Sequence, residues 1–123
     1  MGPAEVETVL NSHPDVLTSA AVGIPDPLKG ERLVCFVVIR STHSADPARL
    51  PAELGELVSS ALGRPLRPAA VHVVPDLPRT RNSKIVRKAI RLAYTGVQGM
   101  DVSAVENPVS LDAIRNIGQG LVT

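Results

Sequence analysis

Aromatic side chains are almost absent from this sequence, which has one phenylalanine, one tyrosine and no tryptophan in 123 residues. Apolar residues still make up 44% of the chain, so its core must be built from aliphatic side chains. The scarcity of aromatic rings also argues against a module that binds single-stranded nucleic acid, because such modules stack bases on aromatic side chains. The length fits one domain, or one domain followed by a tail.

Cysteine is nearly absent as well, since Cys35 is the only one. A single cysteine excludes an intramolecular disulfide and is typical of a reducing compartment, so we predict a cytoplasmic protein. Because Cys35 lies inside an apolar run, we expect a buried thiol rather than a nucleophile. His13, His43 and His72 are far apart, with no cysteine or carboxylate at ligand spacing, so no metal site is predicted.

Long hydrophobic runs are also missing. No segment is apolar over the roughly 20 residues that a membrane-spanning helix needs, and residues 1–5 do not resemble a signal peptide. We therefore predict no association with a membrane. Met1-Gly2 is followed at once by a helix signal, and we interpret this start as the cut end of a longer protein.

Hydrophobic periodicity predicts an α+β fold, a small sheet of about three strands with helices packed against it. The predicted order is α-β-β-α-β-α for residues 2–94, and residues 95–123 are predicted to form a linker and a C-terminal helix. Asn107-Pro108 is the predicted cap of that last helix. The other predicted elements are a helix from Pro3 to His13-Pro14, antiparallel strands Val16–Ile24 and Leu33–Ile39 around a Pro25–Gly30 turn, a polar loop Ser41–Pro47, a helix Leu50–Leu62 stopped by Gly63, a strand Val71–Val74 and a helix from about Ser83 to Tyr94.

Positive charge is concentrated in one part of the chain, although the net charge is only +1. Residues 64–91 hold eight basic residues and one acid, a local charge of +7, whereas the rest holds five basic and eleven acidic residues, a charge of −6. Such a local excess points to a defined anionic partner. The most basic stretch is the loop Pro78–Lys88, in which Lys84 is predicted to stand where the loop enters a helix and to meet an anion there.

Two readings of this basic stretch follow from the residues alone. Lys84, Arg87, Lys88 and Arg91 have helical spacing, which is also the pattern of an ordinary solvated helix face. Their clustering in sequence with four arginines favours an anion site, without indicating which anion. Those arginines are Arg64, Arg67, Arg79 and Arg81.

Four motifs in order resemble the adenylate-forming acyl-CoA synthetases, over roughly residues 2–92. The stretch from Pro78 to Lys88 resembles the closing motif of that family, which carries the lysine of the adenylation step. The others are Gly2-Pro3-Ala4-Glu5-Val6-Glu7, His13-Pro14-Asp15-Val16, and Ala21-Val22-Gly23-Ile24-Pro25-Asp26 followed by Lys29-Gly30-Glu31.

The resemblance implies that residues 2–94 form the mobile C-terminal lid of a two-step ligase. ATP, with magnesium, and a carboxylic acid would give an acyl-adenylate, and the thiol of coenzyme A would then accept the acyl group. Lys84 is the implied catalytic residue, and the implied partner is a large N-terminal domain of the same polypeptide. No cofactor is expected to be held by this chain alone, which is expected to be inactive by itself.

The family also implies a form of regulation, because some members are switched off by acetylation of this same lysine. Lys84 is therefore a predicted modification site for a GNAT-type acetyltransferase and a deacetylase. Four basic residues are candidates for docking the modifying enzyme or for anion contacts: Arg79, Arg81, Arg87 and Lys88.

The sequence departs from the family pattern in two places. Ser83 stands where a glycine usually precedes the lysine, so a backbone with positive φ would be costlier here. Ser59-Ser60 stand where acetyl-type members have a basic residue for the coenzyme A nucleotide, which leaves Arg64 as a candidate. The acyl substrate is not determined, with short-chain acids favoured.

Two alternatives from other classes remain. One is a stand-alone adaptor domain that an acetyltransferase recognises. The other is a KH-like RNA-binding module, because Gly96-Val97-Gln98-Gly99 has the G-x-x-G pattern of that fold. A KH domain places this loop tightly between two helices, whereas here a long linker is predicted to follow it, and we predict no nucleic-acid partner.

Overall fold

The computed structural model describes residues 2–26, 28, 30–41, 46, 48–97, 99 and 101–119. Its contacts divide the chain into two compact units, Met1–Val73 and Val74–Thr123. Most of the predicted loop Ser41–Pro47, including His43, lies outside the described residues, as does Lys29. None of the helices found within those residues is long and apolar enough to cross a lipid bilayer.

The first unit is a three-stranded sheet with two helices. The middle strand pairs antiparallel with the first, placing Ala21 opposite Cys35, and parallel with the third, placing Cys35 opposite Val71. The parallel pair is joined through a helix, as a crossover connection requires. Its elements are α1 (Pro3–Asn11), β1 (Val16–Asp26), β2 (Gly30–Ile39), α2 (Leu50–Leu62), a short 3-10 turn (Arg64–Leu66) and β3 (Ala70–Val73), with the strands in the order β1-β2-β3.

The core of this unit is aliphatic except for Phe36, and β2 is buried on both faces, as predicted. Val34 and Phe36 on one face of β2 and Cys35 and Val37 on the other are all fully buried. One cluster joins α1, α2 and the Cys35 face of the sheet, and it consists of Val6, Leu10, Val16, Ala21, Cys35, Val37, Leu50, Leu54 and Val58.

Strand β1 lies at an edge of the sheet, and a buried carboxylate binds one of its outward backbone groups. The N–H of Ala21 donates to Oε2 of Glu7, a residue of α1, at 2.8 Å. An unpaired edge N–H is a template for pairing with other chains, so this hydrogen bond protects the edge. The pattern in α1 that predicts a helix gives no sign of this use of Glu7.

The predicted strands are confirmed, but their ends differ. Strand β1 continues through Pro25 to Asp26, which pairs with Gly30, so the predicted six-residue turn is shorter. Proline is tolerated in β1 because an edge strand need not donate on its outer side. Helix α2 ends at Leu62 and is followed by Gly63 with φ +97°, which confirms glycine as the stop signal.

The second unit contains α3 (Arg87–Tyr94) and α4 (Ser110–Gly118), which pack against each other. Gly118 allows this approach, because a Cβ at this position would lie 1.9 Å from the carbonyl oxygen of Tyr94. Leu111 and Ile114 are the fully buried apolar residues of α4.

Two sequence predictions in this unit are wrong. The helix predicted from Ser83 begins at Arg87, because the backbone before Arg87 pairs in a hairpin. Val86, the residue before the helix, has a φ of −97° and a ψ of 85°, which are not helical. Lys84 therefore lies on no helix, and the predicted basic stripe is reduced to its three later members. The last helix begins at Ser110, so Asn107-Pro108 does not form its cap and first turn.

Candidate functional site

Lys84 is carried by a short antiparallel hairpin, residues Pro78–Val86, called the lysine hairpin below. Arg79 and Ile85 form its bridge. The N–H of Thr80 donates to the carbonyl of Lys84 at 2.8 Å, and the N–H of Val86 donates to the carbonyl of Pro78 at 3.0 Å. The lysine is thus fixed through its own backbone on a paired strand, three residues before Arg87, the first residue of α3.

The turn of the lysine hairpin contains one left-handed residue. Ser83 has φ +67°, the only positive φ outside glycine among the described residues, and its N–H donates to the carbonyl of Thr80 at 2.9 Å. This is the three-residue hairpin loop whose last position is left-handed, a position that favours glycine. The bulge leaves the N–H of Lys84 without a carbonyl, and the hydroxyl oxygen of Thr80 accepts it at 3.2 Å.

The ammonium group of Lys84 is exposed. Within the part of the chain that the structure describes, its side chain makes no hydrogen bond or ion pair. The hairpin therefore presents a positive charge that is not paired with any carboxylate among the described residues. A lysine in this state can bind an anion without first breaking an ion pair.

The other basic residues differ in how far they are engaged. The guanidinium of Arg79 is partly buried and binds the carboxylate of Asp76 at 2.8 Å, so it has a structural partner. Arg81 is 90% exposed, with its Nε 4.0 Å from a carboxylate oxygen of Glu106. Lys88 is exposed on α3, and Arg87 is partly buried. Arg81 and Lys88 are thus the more accessible of the four.

Asn107 binds the base of the lysine hairpin, a contact that its sequence pattern did not predict. Its amide nitrogen donates to Asp76 at 3.0 Å and to the carbonyl of Leu77 at 2.9 Å, and its carbonyl oxygen accepts from the N–H of Arg79 at 2.8 Å. We call Asp76, Leu77, Arg79 and Asn107 the Asn107 cluster. The only local signal at Asn107 was the Asn-Pro pair, which has the same appearance in a helix cap.

Asp76 carries the negative charge of this cluster. Partial burial acts to raise its pKa, but hydrogen bonds from the Leu77 N–H, the Asn107 amide and the Arg79 guanidinium, with the positive charge of Arg79, outweigh burial and hold the pKa below its usual value. Asp76 is therefore an ionised acceptor at neutral pH, which strengthens each hydrogen bond it accepts.

A separate open cavity of about 690 Å³ lies in the first unit, at the C-terminal end of α2. Arg64 lines it beside Ser59 and Ser60, so the structure brings together the residues singled out for the coenzyme A nucleotide. Arg67 also lines the cavity, and its guanidinium binds the carboxylate of Glu56 at 2.6 Å. Which ligand this cavity takes stays a prediction.

Cys35 is buried, as expected from its apolar surroundings. Burial, followed by the nearby charge of Glu7, raises the pKa of its thiol to about 12, so the reactive thiolate is not formed at neutral pH. Across the residues that are described, no group of three or more histidine, cysteine, aspartate or glutamate side chains could hold a metal ion.

The G-x-x-G segment does not join two helices closely. Gly96 and Gly99 have φ of +79° and +70° and follow α3, but α4 begins only at Ser110. Of the two residues between them, Gln98 lies outside the described part of the chain. This arrangement differs from that of a KH domain, in which two helices flank the loop directly.

The similar proteins of known sequence include coenzyme A synthetases. The chain is 43% identical over 117 residues to an acetyl-coenzyme A synthetase of Deinococcus radiodurans, with 94% of this chain and 17% of that protein aligned. It is 40% identical to a 3-hydroxypropionyl-coenzyme A synthetase of Sulfurisphaera tokodaii, again over 94% of this chain and 17% of the relative. Thus the chain spans about 17% of the length of these curated relatives.

Fold comparison and a family model agree with these relatives. The crystal structure of an acyl-CoA synthetase of Brucella canis matches with a TM-score of 0.72 and 34% identity, over 80% of this chain and 18% of that chain. The model of the AMP-binding enzyme C-terminal domain matches residues 5–84, a range that ends at Lys84. The chain belongs to the family of AMP-binding enzyme C-terminal domains.

Proposed function

We propose that this chain is the mobile C-terminal lid of an ATP-dependent acid–CoA ligase and that Lys84 acts in its adenylation step. The coenzyme A synthetases among its relatives, of which it spans about 17%, support this assignment. The remainder of such an enzyme is a large N-terminal domain on the same polypeptide. The division into a lid of residues 2–94 and an appended linker and helix of residues 95–123 stays a prediction.

One observation carries the proposal for Lys84. It is an exposed cation without an ion-pair partner among the described residues, held on a hairpin that is paired on both sides of the turn. Arg79, five residues before it, is by contrast bound to Asp76. The ammonium group of Lys84 is thus available to bind an external anion, whereas the guanidinium of Arg79 is used in an ion pair within the chain.

The chemistry of acid activation requires such a cation. The attacking carboxylate and the α-phosphate of ATP are both negative and repel each other. An ammonium group between them offsets this repulsion and holds the two reacting groups in line. Loss of one preorganised contact of this kind costs about 3–4 kcal/mol, or about 10²–10³ in rate.

A movable lysine suits a two-step reaction. A lid that carries the lysine can deliver it for adenylation and withdraw it before the thiol of coenzyme A attacks. Lysine has a flexible stem that tolerates such movement better than the planar fork of arginine. Arg64, in the cavity at the end of α2, is our candidate for contact with the coenzyme A nucleotide.

The test separates the two half-reactions in the enzyme that carries this chain. With Lys84→Ala we expect pyrophosphate exchange to fall about 10²–10³-fold, while thioester formation from supplied acyl-adenylate survives. Lys88→Ala is the comparison, because it removes an exposed lysine charge outside the hairpin and should cost much less. Equal loss of both half-reactions in Lys84→Ala would contradict the proposal.

We also propose that Lys84 is a site of reversible acetylation, because acetylation would abolish the charge that adenylation needs. Its exposure supports access by a GNAT-type acetyltransferase, and a deacetylase would restore the charge. The exposed Arg81 and Lys88 are better placed to dock that enzyme than Arg79, which is bound within the fold, and Arg87, which is partly buried.

Mass spectrometry after incubation with acetyl-CoA and an acetyltransferase tests this second proposal. We expect one acetyl group, mapped to Lys84, and loss of pyrophosphate exchange in proportion to its occupancy. Lys84→Gln imitates the neutral product and should lose exchange to the same extent. Acetylation spread over many lysines, or none on Lys84, would refute regulation at this site.

A further inference from the structure

The residues that follow the lysine hairpin and α3 return to hold its first strand. Asn107 lies outside residues 5–84, the range matched by the family model, and 28 positions from Arg79. It nevertheless makes three hydrogen bonds to residues 76–79. The residue predicted to cap the last helix therefore makes a specific contact with the base of the hairpin instead.

Arg79 is held on both sides. On one side it faces Ile85 across the hairpin. The hydrogen bonds between the two strands there are made by its neighbours, the carbonyl of Pro78 and the N–H of Thr80. Its own N–H and carbonyl therefore point to the side opposite Ile85. The side chain of Asn107 accepts the N–H at 2.8 Å, and the N–H of Glu106 donates to the carbonyl at 2.8 Å. Residues 106 and 107 thus satisfy both backbone groups of Arg79 on the side that does not face Ile85.

Asp76 joins this contact to the Arg79 side chain. One carboxylate oxygen accepts from the Arg79 guanidinium at 2.8 Å, and the other accepts from the Asn107 amide at 3.0 Å. The Asn107 amide also reaches the carbonyl of Leu77, a residue that is fully buried. The Asn107 cluster therefore joins Arg79 of the hairpin to the buried Leu77, and the ion pair between Arg79 and Asp76 is part of this connection.

We propose that Asn107 is a positioning residue for Lys84, acting by fixing the strand that pairs with the lysine backbone. The inference rests on the proposed function of Lys84 in adenylation. Thr80 binds the backbone of Lys84 directly, and Arg79 precedes Thr80, so freedom at Arg79 becomes freedom of the ammonium group. A displacement of about 1 Å at a reacting group can cost on the order of 10² in rate.

The experiment uses the full enzyme with Asn107→Ala, and Asn116→Ala as the matched control. Asn116 is exposed on α4, so the same substitution there should leave both half-reactions unchanged. For Asn107→Ala we expect pyrophosphate exchange to fall about 10- to 100-fold, with thioester formation from supplied acyl-adenylate retained. Hydrogen–deuterium exchange of peptides spanning residues 76–86 should accelerate about 10-fold, while peptides of β2 stay unchanged.

A double-mutant comparison distinguishes positioning from general destabilisation. If Asn107 acts through Lys84, Asn107→Ala should cause no further loss of exchange activity in the Lys84→Ala background. Additive loss would overturn the inference.

The outcomes separate this inference from the proposed function. Full pyrophosphate exchange in Lys84→Ala would refute the function of Lys84 and, with it, any positioning by Asn107. Loss of exchange activity in Lys84→Ala together with normal activity in Asn107→Ala would refute the positioning by Asn107 alone.

Discussion

The amide of Asn107 donates a hydrogen bond to the carboxylate of Asp76 at 3.0 Å, although the two residues are 31 positions apart. This contact closes the second unit on itself, because Asp76 precedes the lysine hairpin and Asn107 precedes α4. The unit therefore carries Lys84 on a hairpin whose base is held by a later segment.

Ser83 is a strained position, and glycine should relieve the strain. A left-handed residue with a Cβ costs roughly 1–2 kcal/mol, and the greater freedom of glycine in the unfolded chain takes back about 0.5–1 kcal/mol. We expect Ser83→Gly to raise the free energy of unfolding by up to about 1 kcal/mol, measured by urea denaturation. Asn82→Gly, at a neighbouring residue without positive φ, should lower it. Stabilisation by both substitutions would contradict the explanation.

The hydroxyl of Thr80 should protect the amide of Lys84. Thr80→Val keeps the shape of the side chain but removes the acceptor, so the hydrogen bond of 3.2 Å is lost. A hydrogen bond of this kind contributes about 0.5–1.5 kcal/mol, which corresponds to roughly 2- to 12-fold faster exchange of the Lys84 amide. Amide exchange followed by NMR measures this change. Thr80→Ser keeps the hydroxyl and should stay near the wild-type rate; equal rates in the two variants would exclude a role for the hydroxyl.

Asp76 should make stability depend on acidic pH. Its pKa in the folded chain is lower than the value of about 3.9 expected when unfolded. The contribution of this carboxylate is therefore fully present above the unfolded pKa and is lost as the pH falls through the folded pKa. Asp76→Asn should be less stable than wild type at neutral pH, and the difference should shrink as the pH falls below about 4. Urea denaturation at several pH values tests this, and a constant difference would contradict it.

Two glycines should respond to alanine in opposite directions. At Gly118 a Cβ would lie 1.9 Å from the carbonyl oxygen of Tyr94, so Gly118→Ala must separate α3 from α4 and should cost about 1–3 kcal/mol. At Gly55, inside α2, the nearest atom is the flexible guanidinium of Arg67 at 3.6 Å, and alanine should stabilise the helix by up to about 1 kcal/mol. Thermal and urea denaturation measure both. Loss of stability in both variants would show that α2 cannot accept the methyl group.

The sequence by itself determined the elements of the first unit and, through its motifs, the family to which the chain belongs. Periodicity at β2 and α2 is a local signal, and Gly63 stops α2 because it alone accepts the left-handed φ found there. The exclusion of a disulfide and the aliphatic core also followed from composition. These features depend on residues that are neighbours in the chain, which is why a pattern can predict them.

Only the tertiary structure decided how Lys84 is held. The stretch from Ser83 has helical spacing, yet pairing between Arg79 and Ile85 overrides it and delays α3 to Arg87. Asn107 has the local pattern of a helix cap, but its side chain satisfies backbone groups of a strand far away in sequence. A polar side chain forms hydrogen bonds with whichever unpaired donor or acceptor the fold brings within about 3 Å. The residues next to it in the sequence do not specify that donor or acceptor.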